Sequence, residues 1–293
     1  MKKVAFVGLG AMGRQMARNL IQHGFNVHGF DLNPAALDDL RRAGGAAATS
    51  AAKAATDADA IMLMVVNAAQ AESILFNDGA LTAASEGAVV CLMATCPPKT
   101  VAELSARVRA LGYRFVDAPV SGGTVGAEAA SLTIMAAGES DAFAAVRPAL
   151  EAMGSRVIHV GDKPGQGAVV KTINQLLCGV HIAAAAEALA FAEKVGVDAA
   201  TVLGIMQDTS AASWMLKNRG PRMLQSDPEV TSAVDIFVKD LGIVLEAGRE
   251  SCAALPLAAL SHQLFLSVSG RGDGAADDSQ VIRAYHALNG KPA

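Results

Sequence analysis

The sequence predicts an α/β domain built on a mostly parallel, doubly wound sheet, followed by an all-α domain that opens on a long helix. Three observations predict it. Up to about residue 160, short apolar runs alternate with segments of helical period. The Gly/Pro-rich stretch Gly161-Asp162-Lys163-Pro164-Gly165-Gln166-Gly167 then interrupts the pattern. Beyond it no strand pattern returns. The boundary falls at 162/163, giving domains 1–162 and 163–293.

The first strand, Lys3–Val7, runs straight into Gly8-Leu9-Gly10-Ala11-Met12-Gly13, which fits G-x-G-x-x-G. The first glycine allows a tight turn, the second lets a pyrophosphate approach the backbone, and the third lets the next helix pack against the strand. That helix, 11–21, presents its N-terminal N–H groups and dipole to an anion. The second strand, 26–31, ends on Asp31, 18 residues after Gly13, where a carboxylate accepts from both ribose hydroxyls of adenosine. It repels a 2′-phosphate, and no Arg or Lys follows before Arg41. The predicted cofactor is therefore NAD rather than NADP. Asn33-Pro34 starts the helix Pro34–Arg42, with proline at the first helical position. Strands at 60–65, 88–93, Arg114–Asp117, 132–136 and 157–160 then alternate with helices at 68–76, 99–111 and 141–153. A single helix, 168–195, follows and is stopped by Gly196. At ~28 residues it spans roughly 42 Å. It is apolar on most sides, which predicts burial. Further helices are expected at 198–206, 213–218, Val234–Glu250, 256–269 and 279–288.

A chain of 293 residues accommodates one or two domains. Its mean hydropathy of +0.34 comes from alanine and valine. No block of about 18 uncharged apolar residues is present, so no membrane span is expected. Aromatic residues make up only 4%, so small and branched side chains must fill the core. Alanine-rich helices approach closely, which suits a large helical interface between subunits. The net charge is −4 and there is no basic run, which argues against nucleic acid as a partner. The first strand begins at Lys3 and leads directly into the fold, so no secretory leader is expected. Cys91, Cys96, Cys178 and Cys252 are scattered, as expected of reduced thiols in the cytoplasm. The six histidines lack ligand spacing, and no metal is expected.

Polar residues in apolar surroundings mark the candidate site. Lys171, Asn174, Gln175 and Cys178 fall on one face of the long helix. Such a stripe costs free energy unless it is paired or used. Burial lowers a lysine's pKa, and a lysine tuned towards neutrality exchanges a proton with a hydroxyl or carbonyl. The alternative is that Lys171 reaches solvent or pairs with a carboxylate. Asp117-Ala118-Pro119-Val120-Ser121-Gly122-Gly123 follows a strand end, where open parallel sheets bind ligands. Ser121 with the Gly122 and Gly123 amides can form an anion nest for a carboxylate, or simply a turn. Thr95, past the strand at 88–93, can touch a nicotinamide ribose or cap the next helix. Lys239 reads as a surface lysine, and Trp214, the only tryptophan, as a core anchor.

Together the glycine fingerprint, the Asp117–Gly123 segment, Gly165-Gln166-Gly167-(x3)-Lys171-(x2)-Asn174 and Lys239-Asp240-Leu241 resemble the β-hydroxyacid dehydrogenase family, which includes 3-hydroxyisobutyrate dehydrogenases and tartronate semialdehyde reductases. The resemblance covers essentially the whole chain. It implies a Rossmann domain, an all-helical domain whose long helix joins subunits, and a homodimer or homotetramer. It makes Lys171 the catalytic residue with Asn174 beside it. Ser121, Gly122, Gly123 and Gln175 become substrate contacts. The cofactor-binding set becomes Gly8, Leu9, Gly10, Ala11, Met12, Gly13, Asp31, Val65, Val66, Thr95 and Lys239. The chain departs from the family in having Asn174-Gln175 where Asn-Asn is usual and Ala94-Thr95 where Ser-Thr is usual. The run from Asn174 to Ile182, with Val65-Val66-Asn67-Ala68-Ala69-Gln70, looks most like the branch that oxidises L-threonate with NAD. The same chemistry on tartronate semialdehyde or 3-hydroxyisobutyrate, and a non-catalytic NAD-binding sensor, are the alternatives.

Overall fold

Small and branched apolar residues make β1 (Lys3–Val7) a strand buried on both faces. Val4 and Phe6 point into one core and Ala5 and Val7 into another, the period-2 alternation of a pleated strand. A strand buried on both faces belongs at the centre of a parallel sheet. The protein, analysed as a computed structural model that describes residues 2–290, builds that sheet from nine strands. The others are β2 (Asn26–Phe30), β3 (Ala46–Ala47), β4 (Ala60–Leu63), β5 (Val89–Leu92), β6 (Arg114–Asp117), β7 (Val120–Ser121), β8 (Thr133–Ala137) and β9 (Arg156–Gly161). Their order is β3-β2-β1-β4-β5-β6-β8-β7, with β9 beside β8. From β3 to β6 all pairs are parallel; β8 runs antiparallel to β6 and β7, and β9 parallel to β8.

One face is covered by α1 (Gly13–Gln22) and α2 (Pro34–Arg42), together with the later α7 (Gly123–Glu128) and α8 (Ser140–Glu151). The other takes α3 (Ala51–Ala55), α4 (Ala68–Glu72), α5 (Ala80–Ala83) and α6 (Pro98–Ala110). Each fully buried Phe, Met or Leu on these faces contributes about 1.5–3 kcal/mol of transfer free energy. The long helix α9 (Gln166–Lys194) follows, then α10 (Ala199–Met206), α11 (Trp214–Met223), α12 (Val234–Glu250), α13 (Pro256–Val268) and α14 (Ile282–Leu288). A separate core joins these last helices through Leu189, Phe237, Leu241, Phe265 and Ile282. The chain divides into two compact units between Lys171 and Thr172, within α9.

The second unit also buries charge. Arg219 on α11 forms paired hydrogen bonds of 2.9 and 2.8 Å to Asp278, whose side chain is fully enclosed. Arg222, one turn on, reaches Asp277 at 3.1 Å. Asp277 in turn accepts the amides of Thr231 and Ser279.

The short elements β3, β7, α3, α5 and α7 carry no signal in the sequence. Two-residue strands have no period to read, α3 is the near-uniform AAKAA, and α7 opens on glycines that read as a turn. The expected burial of the long helix is corrected more substantially. Val169, Ile173, Leu177 and Phe191 are all exposed, Phe191 to 64%, so α9 carries an outward apolar stripe as well as a buried face. It is also long and apolar enough to cross a membrane, although half of its most apolar window is buried within the chain.

Candidate active site

The register of the parallel strands places the predicted binding residues along one edge. Val7 lies beside Phe30 and Leu63, Leu63 beside Leu92, and Leu92 beside Asp117. The next residue of each strand therefore forms a row at the carboxyl edge: Asp31, Gly8, Met64, Met93 and Ala118. Main-chain bonds extend the ladder across it, from Gly8 to Phe30, Met64 to Val7, Met93 to Leu63 and Ala118 to Leu92. At about 4.8 Å per strand, the row spans roughly 19 Å. Asp31 stands at one end, Val65, Val66 and Thr95 follow the middle strands, and Ser121–Gly123 lies beyond the other end.

The glycine turn has the shape a dinucleotide requires. Gly8 has φ +95°, and a Cβ there would lie 2.3 Å from the Met64 carbonyl oxygen. A Cβ on Gly13 would lie 1.9 Å from the Gly8 oxygen, so only glycine lets α1 approach β1 this closely. Around Gly10 there is open space. A pyrophosphate can come against that backbone, facing the start of α1. Asp31 is fixed by both carboxylate oxygens. Oδ2 accepts the Leu9 amide at 2.6 Å and Oδ1 that of Asn33 at 2.8 Å. Each oxygen keeps a lone pair for a ribose hydroxyl. Leu32, 90% exposed beside it, offers an apolar wall for a base, a role the sequence reading did not assign. These residues fit NAD.

Thr95 follows β5, but the cap position of α6 falls on Pro97, with no side chain capping the helix. At the far end, Gly122 and Gly123 have φ of +134° and +62°, values that favour glycine and turn successive amides towards one side. Lys171 is buried, 7% exposed, in the second turn of α9. Asp117, at the end of β6, is 1% exposed and its Oδ2 accepts the Ala168 amide of the same helix at 2.8 Å. Desolvation raises its pKa to about 7, against the opposing effect of the Ala168, Gly165 and Gly167 amides.

In the second unit, Asn174 Nδ2 donates to Gln175 Oε1 at 2.8 Å and to Cys178 Sγ at 3.4 Å. Gln175 is itself buried and donates to Asp240 Oδ2. Asp240 pairs through Oδ1 with Lys239 at 2.9 Å. Asn174 and Lys239 are thus connected through one buried amide and one buried carboxylate. The sequence signal for Asp240 was an acid on an apolar helix face, between Phe237, Leu241 and Val244. Trp214 is not the core anchor expected: it is 54% exposed at the start of α11, with the Arg219 guanidinium 5.7 Å from its ring. Among the described residues no cluster of His, Cys, Asp or Glu could hold a metal ion.

The chain is similar to known proteins over nearly its whole length. Residues 3–161 match the NAD binding domain of 6-phosphogluconate dehydrogenase, and residues 165–285 the NAD-binding domain of NADP-dependent 3-hydroxyisobutyrate dehydrogenase. An L-threonate dehydrogenase of Cupriavidus necator is 42% identical over 285 residues, 97% of this chain and 96% of that one. An NAD-dependent L-serine dehydrogenase of Pseudomonas aeruginosa is 34% identical over 299 residues, covering 99% and 100%. The crystal structure of a 3-hydroxyisobutyrate dehydrogenase from Salmonella typhimurium superposes with a TM-score of 0.92 at 41% identity, covering 97% and 99%.

Proposed function

The chain belongs to the 3-hydroxyisobutyrate dehydrogenase-like family of β-hydroxyacid dehydrogenases, and from that premise we propose that it oxidises L-threonate at its C2 hydroxyl to the 2-oxo acid. It is an NAD-dependent dehydrogenase. The observation that carries the proposal is the buried Lys171, with Asn174 one turn on, on the same chain as a complete dinucleotide fingerprint. The substrate is supported by the full-length similarity to the Cupriavidus necator enzyme, which exceeds that to the L-serine dehydrogenase.

Each residue takes one role. Gly8 to Gly13 receive the pyrophosphate and Asp31 the adenosine ribose, while Val65, Val66, Thr95 and Lys239 line the remainder of the cofactor's path. When bound, NAD supplies the hydride acceptor at its nicotinamide ring. Lys171, in its neutral form, accepts the substrate hydroxyl proton as the C2 hydride leaves. Ser121 and the amides of Gly122 and Gly123 hold the carboxylate, and Asn174 orients the hydroxyl. Gln175 shapes the substrate end through Asn174. In this reading residues 1–162 supply most of the cofactor contacts and the carboxylate loop, and 163–293 supply Lys171, Asn174, Gln175, Lys239 and the surface for assembly.

We further infer a homodimer or homotetramer, supported by the exposed apolar stripe on α9. A cytoplasmic location is supported by the scattered spacing of Cys91, Cys96, Cys178 and Cys252, which forms no CxxC pair.

Initial rates of NADH formation with L-threonate, D-threonate, D-erythronate, D-glycerate and 3-hydroxyisobutyrate test the substrate. L-Threonate is expected to give the highest kcat/KM. A preference for D-glycerate or 3-hydroxyisobutyrate would keep the chemistry and overturn the substrate.

A further inference from the structure

At the start of the helix that carries Lys171, the Gln166 side chain accepts the Lys163 amide at 3.1 Å. The Ala168 amide in its first turn meets a carboxylate 51 residues away in the chain, at the end of β6. Asp117 Oδ2 accepts the Ala168 N–H at 2.8 Å, and the Gly165 and Gly167 amides also favour its charged form. The approach is close enough to demand glycine. A Cβ on Gly167 would stand 2.9 Å from Asp117 Oδ2, 3.0 Å from the Asp117 carbonyl oxygen and 2.4 Å from that of Met135. The first turn of α9 is therefore seated on the end of β6 and the middle of β8.

Two consequences follow from this seat. Ala168 and Lys171 are separated by three residues, about 4.5 Å along the helix axis and on the same side of it. Whatever fixes the height of Ala168 fixes that of Lys171. Asp117 is also the residue from which the chain runs through Ala118 and Pro119 into Ser121, Gly122 and Gly123. One buried side chain thus joins the strand leading to the substrate-carboxylate loop to the helix bearing the proton acceptor. Its other oxygen, Oδ1, is buried with no hydrogen-bond partner. An isolated buried carboxylate oxygen costs stability, so a hydrophobic side chain would serve β6 better if packing were the only requirement.

We propose that Asp117 is a positioning residue: by holding the first turn of α9 against the end of β6, it sets the separation between Lys171 and the Ser121–Gly123 loop. This rests on the reading of Lys171 as the proton acceptor. Proton transfer needs hydrogen-bond reach, and a displacement of about 1 Å costs on the order of 10²-fold in rate.

A double-mutant cycle on the full-length enzyme, saturated with NAD, tests it. Asp117→Ala is expected to lower kcat by about 10- to 100-fold while the NAD dissociation constant changes less than about threefold. Asp117→Asn keeps an oxygen that can accept the Ala168 amide, and should recover at least tenfold of a hundredfold loss. In the Lys171→Ala background, Asp117→Ala should lower kcat by less than about threefold, because a residue acting through Lys171 has nothing left to position. Full additivity of the two losses overturns the positioning role, as does an Asn variant as slow as Ala. If Ala at 117 prevents folding, Asp117→Ser, whose hydroxyl is too short to reach, takes its place in the cycle. Near-normal activity of Lys171→Ala alone would instead overturn the catalytic reading, a separate and distinguishable result.

Discussion

Both oxygens of Asp31 are engaged by main-chain amides, from Leu9 and Asn33, so its carboxylate is held in place by the backbone around it. Hydrogen bonds to a charged group contribute about 1.5–3 kcal/mol each. Asp31→Ser should therefore reduce kcat/KM for NAD by about 10²-fold and narrow the preference over NADP, measured with both cofactors at fixed substrate; an unchanged ratio would remove Asp31 from cofactor selection. Asp117 makes a prediction of a different kind. Burial raises its pKa from the ordinary 3.8 to about 7. Between those values the native state keeps a proton that the unfolded chain releases, so stability falls as pH rises from about 4 to about 7. Below that window the protonated native form loses nothing to ionisation. Asp117→Asn removes this contribution. The drop in urea midpoint from pH 5 to pH 8 should be smaller in the variant than in the parent; equal drops would show that Asp117 does not titrate in the window.

Helix α1 approaches β1 on the strength of one missing side chain. Gly13→Ala places a Cβ 1.9 Å from the Gly8 oxygen, so the helix must move off the strand. The expected result is a loss of about 1–3 kcal/mol in urea unfolding, and at least tenfold weaker NAD binding by titration, because the pyrophosphate seat moves with the helix. Helix α11 is held by charge instead. Asp278→Ala leaves Arg219 buried without its paired acceptor and should cost about 3–5 kcal/mol, while replacing both residues with apolar side chains should recover most of it. Calorimetry of the two variants separates those outcomes. The elements behind these predictions differ in how far the sequence discloses them. Gly8, Gly13 and Asp31 are legible because backbone geometry and ribose recognition each admit few residue types. Lys171 and Asn174 stand out as polar positions on an apolar helix. The partners of that stripe do not. The Gln175 amide is buried against Asp240, a contact 65 residues away that no local period encodes. The link from Asp117 to Ala168 is hidden for the same reason. Trp214 runs against the sequence expectation, since a large aromatic side chain usually anchors a core, whereas here it is more than half exposed.

The whole chain buries its sheet on both faces yet leaves apolar surface along its longest helix. Val169, Ile173 and Leu177 recur every four residues on α9, and Phe191 continues the exposed surface further along it. Isolated exposed apolar side chains need no explanation, but a contiguous line of them marks an interface. The same helix carries Lys171 and Asn174 among its less exposed residues, so a second copy packed along the stripe would stiffen the element that holds the site. Phe191 is the place to test this, because it is 64% exposed and lies about five and a half turns beyond Lys171. A buried aromatic anchor at an interface is worth about 2 kcal/mol or more, and a charge in its place adds a desolvation cost. Phe191→Glu should therefore weaken self-association by at least about 30-fold, seen as a shift to the monomer in sedimentation velocity, with the far-ultraviolet dichroism unchanged. If the parent sediments as an oligomer and the variant sediments identically, another surface makes the assembly. If the variant becomes monomeric and loses kcat without losing NAD affinity, the interface supports the geometry around Lys171 rather than the cofactor fold.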